Sequence, residues 1–164
     1  IKVYYTKKYI IKKVFMKKKA FNFKLISTSD EVVELKKIKS KFVVLYFYPK
    51  DDTSGCTIET NDFNKLLNKF KKLDCIIFGV SKDSLESHKK WSKKLKLKFD
   101  LLSDEKKISL KGYKVWAKKK FMGREFMGTI RSTFVIERSK IIKEWRNVKA
   151  IGHAKEVLNF IENY

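Results

Sequence analysis

Apolar positions in this chain fall into short, separated runs whose spacing alternates between continuous and helical. Ala20 to Ile26 reads as a short strand or extended entry before the polar turn Ser27-Thr28-Ser29-Asp30, and Val32 to Leu35 as a second short strand. Phe42 to Tyr48 is an unbroken β-prone run, the pattern of a central strand covered on both faces, and Pro49 ends it. After Asp51-Asp52, Thr53 or Ser54 is a competent N-cap, and Phe63, Leu66, Leu67 and Phe70 recur at helical spacing, so a helix begins close to Cys56. Cys75 to Val80 predicts a second buried strand, and Ser84 to Leu95 a helix carrying Leu85, His88, Trp91 and Leu95. Next come an apolar piece, Phe99 to Leu102, a helix from Glu105 to Lys111, and a lysine- and glycine-rich loop through Gly128. A strand from Ser132 to Ile136 with a hairpin partner from Ile141 to Trp145 leads to a closing helix, Ala154 to Tyr164, with Val157, Leu158 and Ile161 on one face. The alternation, without repeat or linker, predicts an α/β protein: a mixed central β-sheet flanked by helices in a three-layer α/β/α sandwich.

Length and composition bound this picture. A chain of 164 residues, 43% hydrophobic and 14% aromatic, is enough for one domain with one proper core. Its longest apolar run has seven residues, far short of the roughly 20 a membrane-spanning helix needs. Two cysteines are too few for a disulfide scaffold, so a reducing, cytoplasmic home is expected. The formal net charge of +22 makes nucleic acid an obvious candidate partner. Of the 40 basic residues, however, only Arg124, Arg131, Arg138 and Arg146 are arginine, the type favoured for base reading and bidentate phosphate binding. The lysines are spread along the whole chain beside abundant Ile, Phe, Tyr and Asn, a compositional bias that argues against a specific nucleic-acid function. Residues 1–15 have short apolar pieces cut by lysine pairs and make a poor signal peptide; they read as an extension of uncertain role, with Met16 a candidate start of the domain 16–164.

The stretch Pro49-Lys50-Asp51-Asp52-Thr53-Ser54-Gly55-Cys56 lies between a buried strand and the start of a helix. Unpaired backbone N–H groups and the helix dipole favour a thiolate at that place, so Cys56 is positioned for reactivity. It also sits in a polar turn, where little core is expected for a merely packing cysteine. Taken singly, the neighbours have ordinary explanations: Pro49 can end a strand, Thr53 can cap a helix, Arg131 can face solvent from a strand.

Together they resemble a family, the peroxiredoxins, and within it the bacterioferritin-comigratory or peroxiredoxin Q branch. Pro49, Thr53 and Cys56 match the family's spacing inside YFYPKDDTSGCTIETNDF. Further agreement lies in Leu101-Leu102-Ser103-Asp104, in Val115-Trp116 followed by Phe121-Met122-Gly123, in Arg131-Ser132-Thr133-Phe134-Val135-Ile136, and in Gly152-His153-Ala154-Lys155-Glu156-Val157-Leu158. The likeness spans roughly Ala20 to Tyr164. It implies a thioredoxin-like fold and reduction of hydrogen peroxide or alkyl hydroperoxides without metal, flavin or haem. On that reading Cys56 attacks the peroxide and becomes a sulfenic acid, Thr53 aligns the oxygen, Arg131 stabilises thiolate and oxyanion, and Pro49 shields the sulfur.

The chain also departs from the branch. Many members carry a resolving cysteine five residues after the first, where this chain has Asn61, and others carry one in the helix that matches Trp91 to Leu95, where there is none. Cys75 is the remaining candidate, but it opens an apolar strand, where cysteines are usually inert. The expectation is a one-cysteine enzyme restored by an external thiol such as thioredoxin, glutaredoxin or glutathione. A two-cysteine enzyme using Cys75, or a basic binding module on the same scaffold, are the alternatives. Monomer or weak dimer is expected. Glu59 reads as a supporting residue, His88 and His153 as solvated or capping histidines rather than zinc ligands, and Trp116 and Phe121 as core, or as the lining of the peroxide entrance.

Overall fold

The computed structural model describes residues 17–164; the extension expected over residues 1–15 and the candidate start at Met16 lie outside the described residues. In chain order the elements are β1 (Lys18–Lys19), β2 (Lys24–Ser27), β3 (Val32–Glu34), β4 (Phe42–Phe47), α1 (Ser54–Lys72), β5 (Cys75–Ser81), α2 (Leu85–Leu95) and β6 (Leu101–Ser103). They continue with α3 (Ile108–Gly112), β7 (Trp116–Phe121), β8 (Arg124–Thr129), β9 (Ser132–Glu137), β10 (Lys140–Arg146) and α4 (His153–Glu162). Eight strands form one mixed sheet in the order β1-β10-β9-β4-β5-β6-β2-β3, while β7 and β8 make a separate hairpin. β4, β5 and β6 are parallel, and β9 joins β4 antiparallel on the other side.

The unbroken apolar run of β4 has the cause predicted for it, because both faces of the strand are covered. Phe42, Val44, Tyr46 and Tyr48 point into a core shared with Phe63, Leu67 and Phe70 of α1, Trp91 of α2 and Val157, Leu158 and Ile161 of α4. Val43, Leu45 and Phe47 point the other way, against Phe23, Leu110 of α3, Tyr113 and Phe134. The sandwich is therefore three-layered, with α1, α2 and α4 on one face of the sheet and α3 on the other. Each fully buried Phe or Leu in it contributes roughly 1.5–3 kcal/mol. Tyr46 stacks on Phe63 with ring centroids 4.7 Å apart, and Gly79 on β5 makes this possible: a Cβ there would lie 2.6 Å from the Tyr46 ring.

Beyond β1, an edge strand of two lysines that no apolar pattern announces, two elements differ from expectation. The helix predicted from Glu105 begins only at Ile108, because Asp104 caps it: its carboxylate accepts from the N–H groups of Ile108 (2.9 Å) and Leu110 (2.9 Å), and Lys107 turns the chain at φ 58°. The lysine- and glycine-rich stretch is not a loop but the β7–β8 hairpin. Most of it is solvent-exposed on both faces, so no alternation of apolar and polar residues marks it as strand. Among the described residues, no helix is long and apolar enough to cross a membrane.

Candidate active site

The central strand β4 delivers the chain to half-buried Pro49 at its carboxyl end, where Asp51 takes over as an anchor. The buried Asp51 carboxylate accepts from the hydroxyls of Tyr48 (2.7 Å) and Ser87 (2.8 Å) and pairs with His88 Nδ1 (2.7 Å), while its own N–H donates to Asp83 (3.0 Å). The turn is thereby tied to the segment after β5 and to α2 at once. Asp52 follows in the left-handed region (φ 56°), which reverses the chain into α1. Thr53 occupies the N-cap position with extended dihedrals, but its hydroxyl makes no cap bond; it donates to the Lys50 carbonyl at 2.9 Å.

Cys56 is the third residue of α1, inside the first turn whose N–H groups lack helical partners. The polar turn suggested little core around it, yet Cys56 is only 1% exposed and belongs to the core beneath α1. The surrounding turn is polar by sequence, but the helix rotates position 56 inward while Thr53 and Ser54 stay in solvent. Arg131 reaches the sulfur from the residue just before β9, with Nη2 at 3.3 Å from Sγ. Its own carbonyl is held by the Val148 N–H at 2.9 Å. Gly55 leaves the room: a Cβ at that position would meet Nη2 at 3.1 Å.

The other arm of the guanidinium, Nη1, donates to Glu59 Oε2 at 2.5 Å. Glu59, one helical turn beyond Cys56, is fully buried, and its second oxygen Oε1 has no hydrogen-bond partner among the described residues. Burial pushes the Glu59 carboxyl up to about 7, against the pull of the Arg131 charge. For Arg131, burial works against the cation, but Glu59 and Cys56 outweigh it and hold the guanidinium above its ordinary value. Glu59 is therefore more than a helper of the helix dipole. It is the buried counter-charge that fixes the cation beside the sulfur. Its helical phase relative to Cys56 was the available signal, three residues on and facing the same way.

Both histidines are buried rather than solvated. His88 Nε2 faces the Leu102 carbonyl at 3.0 Å, an acceptor only, so that nitrogen carries a proton while Nδ1 meets Asp51. Asp51, Asp83 and His88 bring potential ligand atoms within 4.8 Å of one another, but internal hydrogen bonds already occupy them, and the group acts as a clasp on the active-site turn. His153 opens α4 with Nε2 at 2.7 Å from the Thr133 hydroxyl, and burial lowers its basicity. Trp116 is half-buried, and Phe121 is 66% exposed on the hairpin, not in the core.

Cys75 lies at the opposite end of α1. Sixteen residue steps separate Cys56 from Lys72, about 24 Å of helix at ~1.5 Å per residue. Cys75 is buried at the start of β5, where burial pushes its thiol up to about 12. Asn61 is half-buried on α1.

A sulfur at a helix N-terminus, 3.3 Å from a guanidinium whose position is fixed by a buried carboxylate, can exist as an anion and can have negative charge stabilised on an atom beside it. Comparison with known proteins agrees with this chemistry. The family described as AhpC/TSA matches residues 16–145. The peroxiredoxin Bcp of Bacillus subtilis is 44% identical over 146 residues, covering 88% of this chain and 93% of the relative. The chloroplastic peroxiredoxin Q of Triticum aestivum is 36% identical over 146 residues, covering 87% of this chain and 64% of the relative. Among solved structures, the bacterioferritin comigratory protein of Xanthomonas campestris, studied for its alkyl peroxide reduction activity, superimposes with a TM-score of 0.82 at 36% identity, covering 86% of this chain and 90% of that one. The chain thus belongs to the AhpC/TSA family, in its Bcp and peroxiredoxin Q branch, and is a thiol-dependent peroxidase with a thioredoxin-like fold.

Proposed function

We propose that Cys56 is the peroxide-attacking residue of a one-cysteine enzyme that reduces hydrogen peroxide and alkyl hydroperoxides and is restored by an external thiol. The observation that carries this reading is the 3.3 Å contact between Arg131 Nη2 and Cys56 Sγ. In the first step the Cys56 thiolate attacks one peroxide oxygen, the O–O bond breaks, and the second oxygen leaves with a proton as water or alcohol. Cys56 becomes a sulfenic acid. Arg131 favours the thiolate before the attack and the departing oxyanion during it, without having to reorient, because Glu59 already holds its other arm. The Thr53 hydroxyl has its own proton on the Lys50 carbonyl, so its oxygen is left to accept a hydrogen bond from the peroxide O–H and orient it. Pro49 contributes no N–H and presents an apolar ring, which limits water at the sulfur.

The alkyl peroxide reduction described for the Xanthomonas relative supports organic hydroperoxides as substrates beside hydrogen peroxide. The one-cysteine assignment is supported by the length of α1 between the two sulfurs, since a disulfide needs Cα atoms about 4.4–6.8 Å apart and the whole helix would have to unravel. Both cysteines are free thiols, in keeping with a reducing cytoplasm. We take the working unit as a monomer or weak dimer. Stopped-flow consumption of hydrogen peroxide tests the assignment. Loss of activity in Cys56→Ser with retention in Cys75→Ser is expected, and full activity of Cys56→Ser would refute it.

A further inference from the structure

If Cys56 is restored from outside, something must dock beside it, and the β7–β8 hairpin has the chemistry for that. The register pairs Lys119 with Phe126 and Phe121 with Arg124, so these four side chains share one face of the hairpin. Phe121 and Phe126 are 66% and 46% exposed, and Met122 at the turn is 87% exposed. Two rings and a thioether stand together in solvent here, whereas the other exposed rings among the described residues, Phe21 and Tyr164, lie elsewhere in the chain, each with an aromatic neighbour. The face with Phe121 and Phe126 carries Lys119 and Arg124 and no acid, while Lys118, Lys120 and the hairpin's single acid, Glu125, lie on the other.

The hairpin is fastened to the body at its base, on the opposite face, whose outer residues Lys118, Lys120 and Met127 are exposed as well. Trp116 on that face has Lys107 Nζ 5.3 Å and Lys82 Nζ 5.8 Å from its ring, and Thr129 beside it is buried. Lys82 adjoins Asp83, which binds the active-site turn through the Asp51 N–H. β8 ends at Thr129, two residues before Arg131. Six residues of β8 span about 20 Å at ~3.4 Å each, so a partner covering a usual ~800 Å² footprint on the free face also reaches the Cys56 entrance.

We propose that the Phe121/Phe126 face of the β7–β8 hairpin is the docking surface for an acidic dithiol protein that reduces the Cys56 sulfenic acid. The inference rests on the one-cysteine reading above. A second copy of this chain is a poor occupant, because each copy brings a formal charge of +22 and places like charges opposite one another. An acidic partner meets complementary charge, and its apolar rim covers the two rings. Once docked, one partner thiolate attacks the sulfenic sulfur, the S–O bond breaks and hydroxide departs as water after taking a proton. The partner's second thiolate then attacks its own sulfur in the mixed disulfide and expels Cys56 as a thiolate. The partner is oxidised to a disulfide, and Cys56 is reduced by two electrons.

The test uses the Cys75→Ser protein, oxidised with one equivalent of hydrogen peroxide and then mixed with either an acidic bacterial thioredoxin or dithiothreitol. Thioredoxin is expected to react faster than equimolar dithiothreitol, and its rate to fall with rising salt. In Phe121→Ser/Phe126→Ser, and separately in Arg124→Glu, the thioredoxin rate is expected to drop about tenfold or more. The dithiothreitol rate and the peroxide step should not change. Thioredoxin rates within twofold of the parent in both variants would overturn the proposal. So would a parent dimer, seen by sedimentation velocity, that dissociates in the Phe variant, because the face would then belong to a second copy. Failure of the one-cysteine reading has a separate signature in the unsubstituted protein, a disulfide between Cys56 and Cys75 visible by mass.

Discussion

The two cysteines stand at opposite ends of the same helix, both buried, and their surroundings assign them opposite chemistry. Cys56, 1% exposed, has a helix N-terminus around it and a guanidinium 3.3 Å away. Cys75, 4% exposed, has apolar strand neighbours, a Phe42 cross-strand partner and Asp74 beside it, and burial leaves its thiol at about 12. Burial alone therefore says little about a cysteine. What decides is whether the buried site contains preorganised positive charge, and only one end of α1 does.

Removing the sulfur itself has the largest expected effect. Cys56→Ser is expected to abolish peroxide consumption in stopped-flow assays, while Cys75→Ser should retain it within about twofold. Next in size is Arg131→Met, which keeps the stem but deletes the charge. Loss of one such preorganised donor is expected to slow the peroxide step about 10²–10³-fold, and a rate within threefold of the parent would remove Arg131 from the machinery. Thr53→Val keeps the shape and removes one hydrogen-bonding oxygen. A reduction of about tenfold in the second-order rate with hydrogen peroxide is expected, the scale of one hydrogen bond near 1.4 kcal/mol.

Glu59→Gln separates the two ends of α1 through pH. With the Glu59 carboxyl at about 7, the carboxylate that holds Arg131 is formed above that pH and lost below it. The parent should outpace the variant about tenfold at pH 8, and the ratio should close toward one as the pH falls below 7, because Gln is neutral throughout. The stability effect has the opposite sign. A carboxyl raised from 4.5 to about 7 on folding stabilises the native state fully below pH 4.5, and that contribution is lost as the pH rises through about 7. Urea denaturation at pH 5 and pH 8 should therefore show a shallower pH dependence in the variant. A ratio of rates that does not change with pH would show that Glu59 is not the switch.

The β4 run and the start of α1 at Ser54 were legible in the sequence because each has a local cause: burial on both faces, and a break at Pro49 followed by an N-cap candidate; the burial of Cys56 was hidden by the polar turn around it. The hairpin was not legible, since strands exposed on both faces carry no period-two signal, and the stretch through Gly128 therefore reads as loop. Nor was the burial of His88, whose partners Asp51 and Leu102 come from separate segments, 37 and 14 residues away. Glu59 was visible as a position but not as a counter-charge, because its partner lies 72 residues on, at Arg131. Charge pairs across such separations are a product of topology, here of β9 lying beside β4.

The most direct test of the claim that Cys56 acts alone is the intact mass of the protein after one equivalent of peroxide. The account predicts the gain of one oxygen, located on Cys56 and unchanged in Cys75→Ser. A loss of two hydrogens that disappears in Cys75→Ser would mean that α1 opens to join the two cysteines, and would contradict it.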